Sequence, residues 1–181
     1  MKFCQLFRMS TVVAVVILSS SNSCLWAEDP DVGTYRIKSA WLADKNGNRP
    51  EMYINTQQGL DATPSDKGWL SARWFLEQID DEGVKKTFRL RNKTSRKSYL
   101  HVEEGNLACG EILIDWESAW WEFQAGPAPG TWRIRNKWRR EHYIHVQNGR
   151  LEAGPIEKDW QSAVWILELA NSSHRTKPRL P

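Results

Sequence analysis

TWRIRNKWRREHYIHVQNGRLEAGPIEKDWQSAVWILE, residues 131–168, is the stretch that decides the fold of this 181-residue chain. The segment 87–124, TFRLRNKTSRKSYLHVEEGNLACGEILIDWESAWWEFQ, aligns with it without a gap and is identical at 18 of 38 positions. A looser third copy spans 34–77, from TYRIK through YINTQQGLDAT to GWLSARWFLE. The chain is therefore one unit written three times, and a period of roughly 40–45 residues is the signature of a repeat architecture.

Each repeat is predicted to contain four short strands. The first alternates apolar and basic residues, as in Trp-Arg-Ile-Arg at 132–135, which is typical of a half-buried strand with its cations outward. A turn such as Asn148-Gly149 joins the second strand to the third, because both turn positions of a tight hairpin need positive φ. The fourth strand carries the motif Ser-Ala-x-Trp. No segment has a sustained helical period with caps.

Three four-stranded units restrict the possible architectures. Propellers are typically built of 4–8 blades, so three copies that close on one another predict an all-β, twelve-stranded β-trefoil. The core of such a fold is lined by equivalent residues from the three repeats. Trp74, Trp121 and Trp165 occupy equivalent positions and are the expected core residues.

Residues 1–27 have the layout of a secretory signal peptide, with Lys2 and Arg8 ahead of an apolar stretch and a small, polar end. The apolar stretch is too short to cross a bilayer, which takes roughly 20 residues. We expect cleavage after Ala27 and secretion of the mature chain. Cleavage before Cys24 would instead leave a cysteine for lipid attachment, an outcome that the preceding residues disfavour.

The remaining chain is predicted to be one domain with short flanks. Residues 28–33 form a lead-in, residues 34–169 form the trefoil with its repeats at 34–77, 87–124 and 131–168, and residues 170–181 form a disordered basic tail. Residues 28–169 carry 20 basic and 22 acidic side chains, a balance that argues against general nucleic-acid binding. Cys109 is the one cysteine after the signal segment, so no disulfide framework is expected, and its strand position predicts a buried thiol.

The unit Tyr-Leu-His-Val-x-x-Gly followed by Asp-Trp-x-Ser-Ala-x-Trp resembles the repeat of ricin B-type (R-type) lectins, over about residues 34–168. The resemblance implies a β-trefoil with shallow surface pockets, up to one per repeat, that bind glycans. The sequence departs from the family in lacking its disulfides and in having Ala72, Ala119 and Ala163 where the family has the Gln of Gln-x-Trp.

Two sets of threefold-repeated residues are candidates for carbohydrate binding. The position of the family's sugar-holding Asp aligns with a polar residue in each repeat, which we expect to face outward because its strand neighbours face inward. The alternative is a solvated or loop-bracing side chain that was copied by duplication. An aromatic residue also recurs five positions before each core Trp, either as a sugar-stacking platform or as a packing plug. The two sets are Asn55, His101 and His145, and Trp69, Trp116 and Trp160.

A second hypothesis is binding of a protein partner through loops. Trp41 and Trp138 lie in the first loop of repeats 1 and 3 and have no counterpart evident in the other repeats; with Arg139 they are candidate partner contacts. The basic runs in 89–97 and 133–140 either bind sulfated glycans or pair with neighbouring carboxylates. Asn92-Lys-Thr94 is a glycosylation sequon.

The sequence contains no recognisable catalytic motif. His142 and His145 lie three apart on a strand and so point to opposite faces, which disfavours a shared metal. We therefore expect a secreted, non-enzymatic, lectin-like module without a metal or cofactor, whose partner is a glycan or glycoconjugate. The alternative is a protein-interaction or inhibitor trefoil. Neither nucleic acid nor a transmembrane segment is expected.

Overall fold

The computed structural model describes residues 29–41, 50–79 and 86–170, so the predicted signal peptide and nearly all of the basic tail lie outside the described residues. Four short strands are present in each repeat, as predicted. A short 3₁₀ helix, which the sequence did not predict, precedes the last strand of each repeat, at Leu70–Ala72, Glu117–Ala119 and Gln161–Ala163. The strands are β1 Gly33–Ser39, β2 Met52–Asn55, β3 Asp61–Pro64, β4 Trp74–Ile79, β5 Thr87–Asn92, β6 Tyr99–Glu103, β7 Asn106–Gly110, β8 Trp121–Ala125, β9 Thr131–Asn136, β10 Tyr143–Gln147, β11 Arg150–Gly154 and β12 Trp165–Leu169.

The first and fourth strands of the repeats close a six-stranded barrel. Each first strand pairs antiparallel with the fourth strand of its own repeat and with that of the preceding repeat, in the cyclic order β1, β4, β5, β8, β9, β12. The second and third strands form the hairpins β2–β3, β6–β7 and β10–β11. This arrangement, a barrel with three attached hairpins, is the β-trefoil predicted from the repeats.

The tight turns of the second and third hairpins have the backbone that their sequences predicted. Glu104 and Asn148 have φ of 49° and 50°, and the glycines that follow them have φ of 89° and 77°. Two successive positive φ values define the turn that matches the twist of the flanking strands. In repeat 1, which lost one residue after Gly59, the glycine alone keeps a positive φ of 108°.

Apolar side chains from neighbouring strands meet inside the barrel. Leu76 lies opposite Leu90, and Phe123 lies opposite Ile134, in the register of adjacent strands from successive repeats. All four are buried. Cys109 is partly buried and packs against this core, and its burial raises the pKa of the thiol to about 11. The thiol therefore stays protonated at neutral pH, as expected of a packing residue.

Trp74, Trp121 and Trp165 have no exposed surface, which confirms the predicted core residues. Their indole nitrogens donate hydrogen bonds to the main-chain carbonyls of the hairpins, and the three bonds are equivalent. The Trp121 Nε1 to Leu100 O distance is 2.9 Å; the other two bonds reach Ile54 and Ile144 at 2.8 Å each. Each tryptophan thus fixes a barrel strand to the hairpin of the same repeat.

Ion pairs cross the seams between repeats on the outside of the barrel. Arg91 Nε lies 2.5 Å from Glu77 Oε1, and Arg135 Nη2 lies 2.5 Å from Glu122 Oε2. Lys38 makes the corresponding contact to Glu168. These contacts favour the second interpretation of the basic runs, in which the cations pair with carboxylates of the adjacent repeat.

We expect Trp121→Ala to lower the free energy of unfolding by about 3–5 kcal/mol, the cost of a large core truncation. Trp121→Phe keeps most of the ring but leaves the Leu100 carbonyl without its donor, so a smaller loss of about 1–3 kcal/mol is expected. Urea denaturation measures both. Trp138→Ala removes an exposed tryptophan and is the matched control. Equal destabilisation by Trp138→Ala and Trp121→Ala would contradict the assignment of Trp121 to the core.

Tyr53 predicts a decline of stability in alkali. Burial, the hydrogen bond to Glu51 and the nearby Glu168 carboxylate raise the pKa of the Tyr53 phenol above its ordinary value of 10.0. A raised pKa in the folded state gives stability that is complete below the unfolded pKa and is lost as the pH rises through the folded value. Thermal melting from pH 8 to 12 should therefore show a fall above pH 10.

Tyr53→Phe should make that alkaline decline shallower, although burial also raises the pKa of Tyr35 and Tyr99, so some slope will remain. A slope identical in the variant and the wild type would show that the Tyr53 proton is not held more tightly in the folded state. Comparing slopes, not absolute melting temperatures, separates this titration from the hydrogen bond that the variant also loses.

Candidate functional site

The prediction that Asn55, His101 and His145 face outward is wrong, because these residues are only 1%, 3% and 2% exposed. The alternation of the strand does direct them away from the barrel interior, but that outer face is covered by other side chains. None of the three offers a free surface to a ligand.

The three residues instead brace the hairpins. Nδ1 of His101 lies 3.0 Å from the carbonyl oxygen of Tyr99, and Nδ1 of His145 lies 2.9 Å from that of Tyr143. A carbonyl can only accept, so Nδ1 carries the hydrogen in both rings. Asn55 makes the same bond in repeat 1, from Nδ2 to the carbonyl of the residue two positions earlier, at 3.1 Å. Loop bracing was the alternative interpretation, and the contacts support it.

The covering side chains in repeats 2 and 3 are the recurring tryptophans. The centroid of the Trp116 ring lies 6.4 Å from that of His101, and the Trp160 ring lies 5.5 Å from His145, both edge to face. A glycine on the paired strand leaves room for each imidazole; a Cβ atom added at Gly154 would lie 3.4 Å from Cε1 of His145. Packing is therefore one role of these tryptophans.

Trp116 nevertheless keeps 38% of its surface exposed, and it shares an open cleft of about 470 Å³ with Trp138, which is 50% exposed. One tryptophan comes from repeat 2 and the other from the first loop of repeat 3, so the cleft lies at the seam between two repeats. The other lining residues are Val102, Glu103, Glu104, Asp115, Glu117 and Ser118. We call this the 116/138 cleft.

A second cleft of about 360 Å³ has the same construction at the next seam, between repeats 3 and 1. Trp160 occupies the position of Trp116. Trp41, which is 53% exposed, occupies the position of Trp138. The other lining residues are Val146, Gln147, Asn148, Gln161 and Ser162, each 44 positions after its counterpart in the first cleft. We call this the 160/41 cleft.

Trp41 and Trp138 are thus counterparts of each other, and the prediction that they lack counterparts is wrong. The amide of Lys137 bonds to the Trp120 carbonyl, and the amide of Ala40 makes the equivalent bond to the Val164 carbonyl. Each bonded residue directly precedes a cleft tryptophan. The sequence concealed the match because the first loop of repeat 1 is seven residues longer.

 Trp41 lies seven residues after Thr34, and Trp138 lies seven residues after Thr131. That shared offset from the first threonine of the repeat is the sequence signal for the pair.

Repeat 1 does not complete a third tryptophan pair. The amide of Lys93 makes the equivalent bond to the Arg73 carbonyl, so Thr94 occupies the position of Trp41 and Trp138. Trp69 lies instead in a cleft of about 420 Å³ with Arg36 and several polar residues, where the Arg36 guanidinium lies 3.6 Å from the Tyr53 ring centroid. Two of the three recurring tryptophans are therefore paired, and Trp69 is not.

The two paired clefts differ in charge. Glu103, Glu104 and Glu117 of the 116/138 cleft are replaced by Gln147, Asn148 and Gln161 in the 160/41 cleft. Among the residues that the structure describes, no Lys or Arg lines either cleft. Arg139 lies beside the first one, with its guanidinium 4.7 Å from the Trp138 ring centroid. The structure thus offers one acidic cleft and one neutral cleft with the same pair of aromatic walls.

Several cations of the basic runs are engaged by contacts within the molecule. Arg89 donates to the carbonyl of Ile114, and Arg91 and Arg135 are held in the ion pairs described above. The sequon residue Asn92 is fully buried and donates to the carbonyl of Ser71 at 2.9 Å, so it is not accessible for glycosylation in the folded protein.

Across residues 29–41, 50–79 and 86–170, no three His, Cys, Asp or Glu side chains come together as metal ligands. The same part of the chain contains no helix long and apolar enough to cross a membrane.

Comparisons with known proteins support the fold. No family model and no curated protein sequence matches the chain. Among solved structures, it is similar to SeviL bound to asialo-GM1 saccharide (TM-score 0.58, 18% identity, covering 77% of this chain and 99% of that one). The β-trefoil of BEL gives a TM-score of 0.61 at 10% identity, covering 79% of this chain and 97% of that one.

The chain is also similar to part of an endo-β-galactosidase from Clostridium perfringens that releases GlcNAcα1-4Gal (TM-score 0.57, 22% identity). That match covers 74% of this chain but only 31% of the enzyme, so the chain spans less than a third of its length. At these identities the similarities show the fold alone. At the level of the fold, these similarities confirm the resemblance to ricin B-type lectin trefoils.

The buried position of His145 gives a test of its role. His145→Ala should lower the free energy of unfolding by about 1–3 kcal/mol, because the variant loses the bond to Tyr143 and leaves space beneath Trp160. Arg150→Ala, exposed on the paired strand of the same hairpin, is the matched control and should change stability by less than about 0.5 kcal/mol. Chemical denaturation measures both. Equal stability of His145→Ala and wild type would contradict the bracing role.

Proposed function

We propose that the protein is a secreted, non-enzymatic glycan-binding module that holds sugars in the 116/138 and 160/41 clefts. The observation that carries this proposal is the repetition of a tryptophan pair with polar neighbours at two equivalent seams. The lectin folds among the structural neighbours support it, and the proposed secretion rests on the sequence of residues 1–27.

The chemistry of the clefts suits a sugar ring. A pyranose has an apolar C–H face and a rim of hydroxyl groups, so it needs a flat aromatic surface and several hydrogen-bonding side chains. Each cleft has two partly exposed indoles, one serine and either carboxylates or amides. Carboxylates accept hydrogen bonds, whereas an amide both donates and accepts. Open clefts of this kind expose most of a bound ligand, which predicts weak binding at each one.

Two weak sites on one domain can still give useful retention. A site of millimolar affinity corresponds to about −4 kcal/mol. When two clefts bind one dense glycan surface, the second binding event is intramolecular, and apparent affinity rises without new contacts. A bivalent module of this kind suits attachment to polymeric or surface-borne glycans.

The alternative function is binding of a protein partner through Trp41, Trp138 and Arg139. The exposure of both tryptophans favours it, since large exposed aromatic side chains are common at protein interfaces. The two hypotheses use the same residues but differ in the ligand. Competition by free mono- or disaccharide would displace a glycan-bound module and would leave a protein complex intact.

The test is a glycan array probed with the whole chain after residue 27 and with the double variant Trp41→Thr, Trp138→Thr. Threonine is the residue that repeat 2 already has at this position, as Thr94, so the exchange is compatible with the fold. We expect the wild type to be retained on a subset of glycans and the double variant to lose at least about tenfold in retention. Each cleft loses one of its two aromatic walls, and weakening both sites also removes the gain from bivalency.

The matched control is Leu113→Ala, which removes an exposed apolar side chain (63%) outside both clefts. Leu113→Ala should bind glycans as the wild type does. The melting temperatures of Leu113→Ala and of the double variant should equal that of the wild type. Absence of glycan binding by the wild type, or equal binding by the double variant, would refute glycan binding at these clefts.

A further inference from the structure

We infer that the 116/138 cleft selects glycans that carry a free ammonium group, such as glucosamine units, and that the 160/41 cleft selects neutral sugars. This inference rests on the proposed function and deepens it by assigning a ligand class to each cleft. It comes from comparing two clefts that duplication made alike and that later substitutions made different.

The comparison isolates charge. The valine, the serine and the two tryptophans are the same in both clefts, and three of the remaining residues differ. All three differences replace a carboxylate with an amide: Glu103 with Gln147, Glu104 with Asn148, and Glu117 with Gln161. The three exchanges keep a hydrogen-bonding side chain at each position and change the formal charge by three units; the 160/41 cleft is also the smaller one, at about 360 Å³ against about 470 Å³. A uniform preference for one ligand would not require such a change.

The carboxylates of the 116/138 cleft are available to a ligand. In the described part of the chain, Glu104, Asp115 and Glu117 make no ion pair and are exposed. Glu103 has a contact of 3.6 Å with Nε2 of the buried His101, and its own side chain is 65% exposed. Other carboxylates, such as Glu77 and Glu122, are held in ion pairs across the repeat seams.

The tryptophan walls add a second attraction for a cation. An ammonium group within about 6 Å of an indole face is attracted by the ring electrons. The Arg139 guanidinium already lies 4.7 Å from the Trp138 ring centroid, which shows that this ring accepts a cation in the folded protein. An amino sugar placed between Trp116 and Trp138 could stack its apolar face on one indole and direct its ammonium group toward the carboxylates.

The expected preference follows from these two contributions. An exposed cation–π contact and an exposed ion pair contribute modestly, and together they predict about tenfold tighter binding of an amino sugar than of its neutral analogue. The preference should weaken as salt is added, because exposed charges are screened. The described lining of the 160/41 cleft lacks the three carboxylates, so sugar binding there should not depend on salt.

The experiment titrates glucosamine trisaccharide and N-acetylglucosamine trisaccharide into the whole chain after residue 27. The two probes share one backbone and differ in the charged amine. Mildly acidic buffer keeps the amine of the glucosamine units protonated. NMR signals of the indole N–H groups report the clefts separately, through Trp116 and Trp138 for one and Trp160 and Trp41 for the other.

We expect the glucosamine trisaccharide to shift the 116/138 signals at about tenfold lower concentration than the acetylated one, with the difference reduced in high salt. The triple variant Glu103→Gln, Glu104→Asn, Glu117→Gln should lose the preference. The reciprocal variant Gln147→Glu, Asn148→Glu, Gln161→Glu should gain it in the 160/41 cleft. Both exchanges install residues that the other cleft already carries at the same backbone positions, including the positive φ of Glu104 and Asn148.

Several results would overturn the inference. These are equal shifts of both signal pairs by the amine, retention of the preference in the first triple variant, or a lysine-rich peptide that binds the 116/138 cleft more tightly than the amino sugar. If array glycans bind at the 160/41 cleft but the amine shows no preference, the charge assignment fails and the proposed function stands. If neither cleft responds to any glycan on the array or in solution, the proposed function fails with it.

Discussion

The indole N–H bond from each core tryptophan to a hairpin carbonyl is the interaction on which the rest of this structure depends. A tryptophan is the largest apolar side chain, so it fills the space between barrel and hairpin, but its N–H must find an acceptor when buried. Trp74, Trp121 and Trp165 meet this need in the same way. The acceptor is the carbonyl of the second residue of the second strand in repeats 2 and 3, and that of the matching residue, Ile54, in repeat 1. The bond therefore fixes both the distance and the orientation of each hairpin.

That constraint explains the location of the clefts. Trp116 and Trp160 each precede a core tryptophan by five residues, and a 3₁₀ helix lies between the two rings. Because the core ring is fixed, the short helix fixes the outer ring, which covers the bracing histidine with one edge and leaves another part exposed. The second wall comes from the first loop of the following repeat, held by a main-chain bond at the C-terminal end of the same helix. A rigid core thus positions a surface site at the seam between repeats.

The sequence predicted the trefoil because the fold depends on properties that periodicity reveals: three copies, alternating strands, Gly turns and equivalent tryptophans. It predicted the role of the residues at 55, 101 and 145 incorrectly because alternation shows which side of a strand a residue occupies, not what covers that side. The pairing of Trp116 with Trp138 could not be read from one repeat, since the partners belong to different repeats. The match between Trp41 and Trp138 was hidden by loop length, although their common distance from the first threonine of the repeat pointed to it.

Duplication also separates what the core requires from what the surface permits. The bracing histidines and the core tryptophans of repeats 2 and 3 are unchanged, because each makes a contact within its own repeat that the fold needs. The exposed side chains at the hairpin tip make longer contacts, such as Glu103 to His101 at 3.6 Å and Gln147 to His145 at 3.3 Å, so a glutamate can be exchanged for an amide there at little cost in stability. Charge could therefore diverge at the cleft rims while the aromatic walls stayed the same, and a single duplicated scaffold came to present two electrostatically different surfaces.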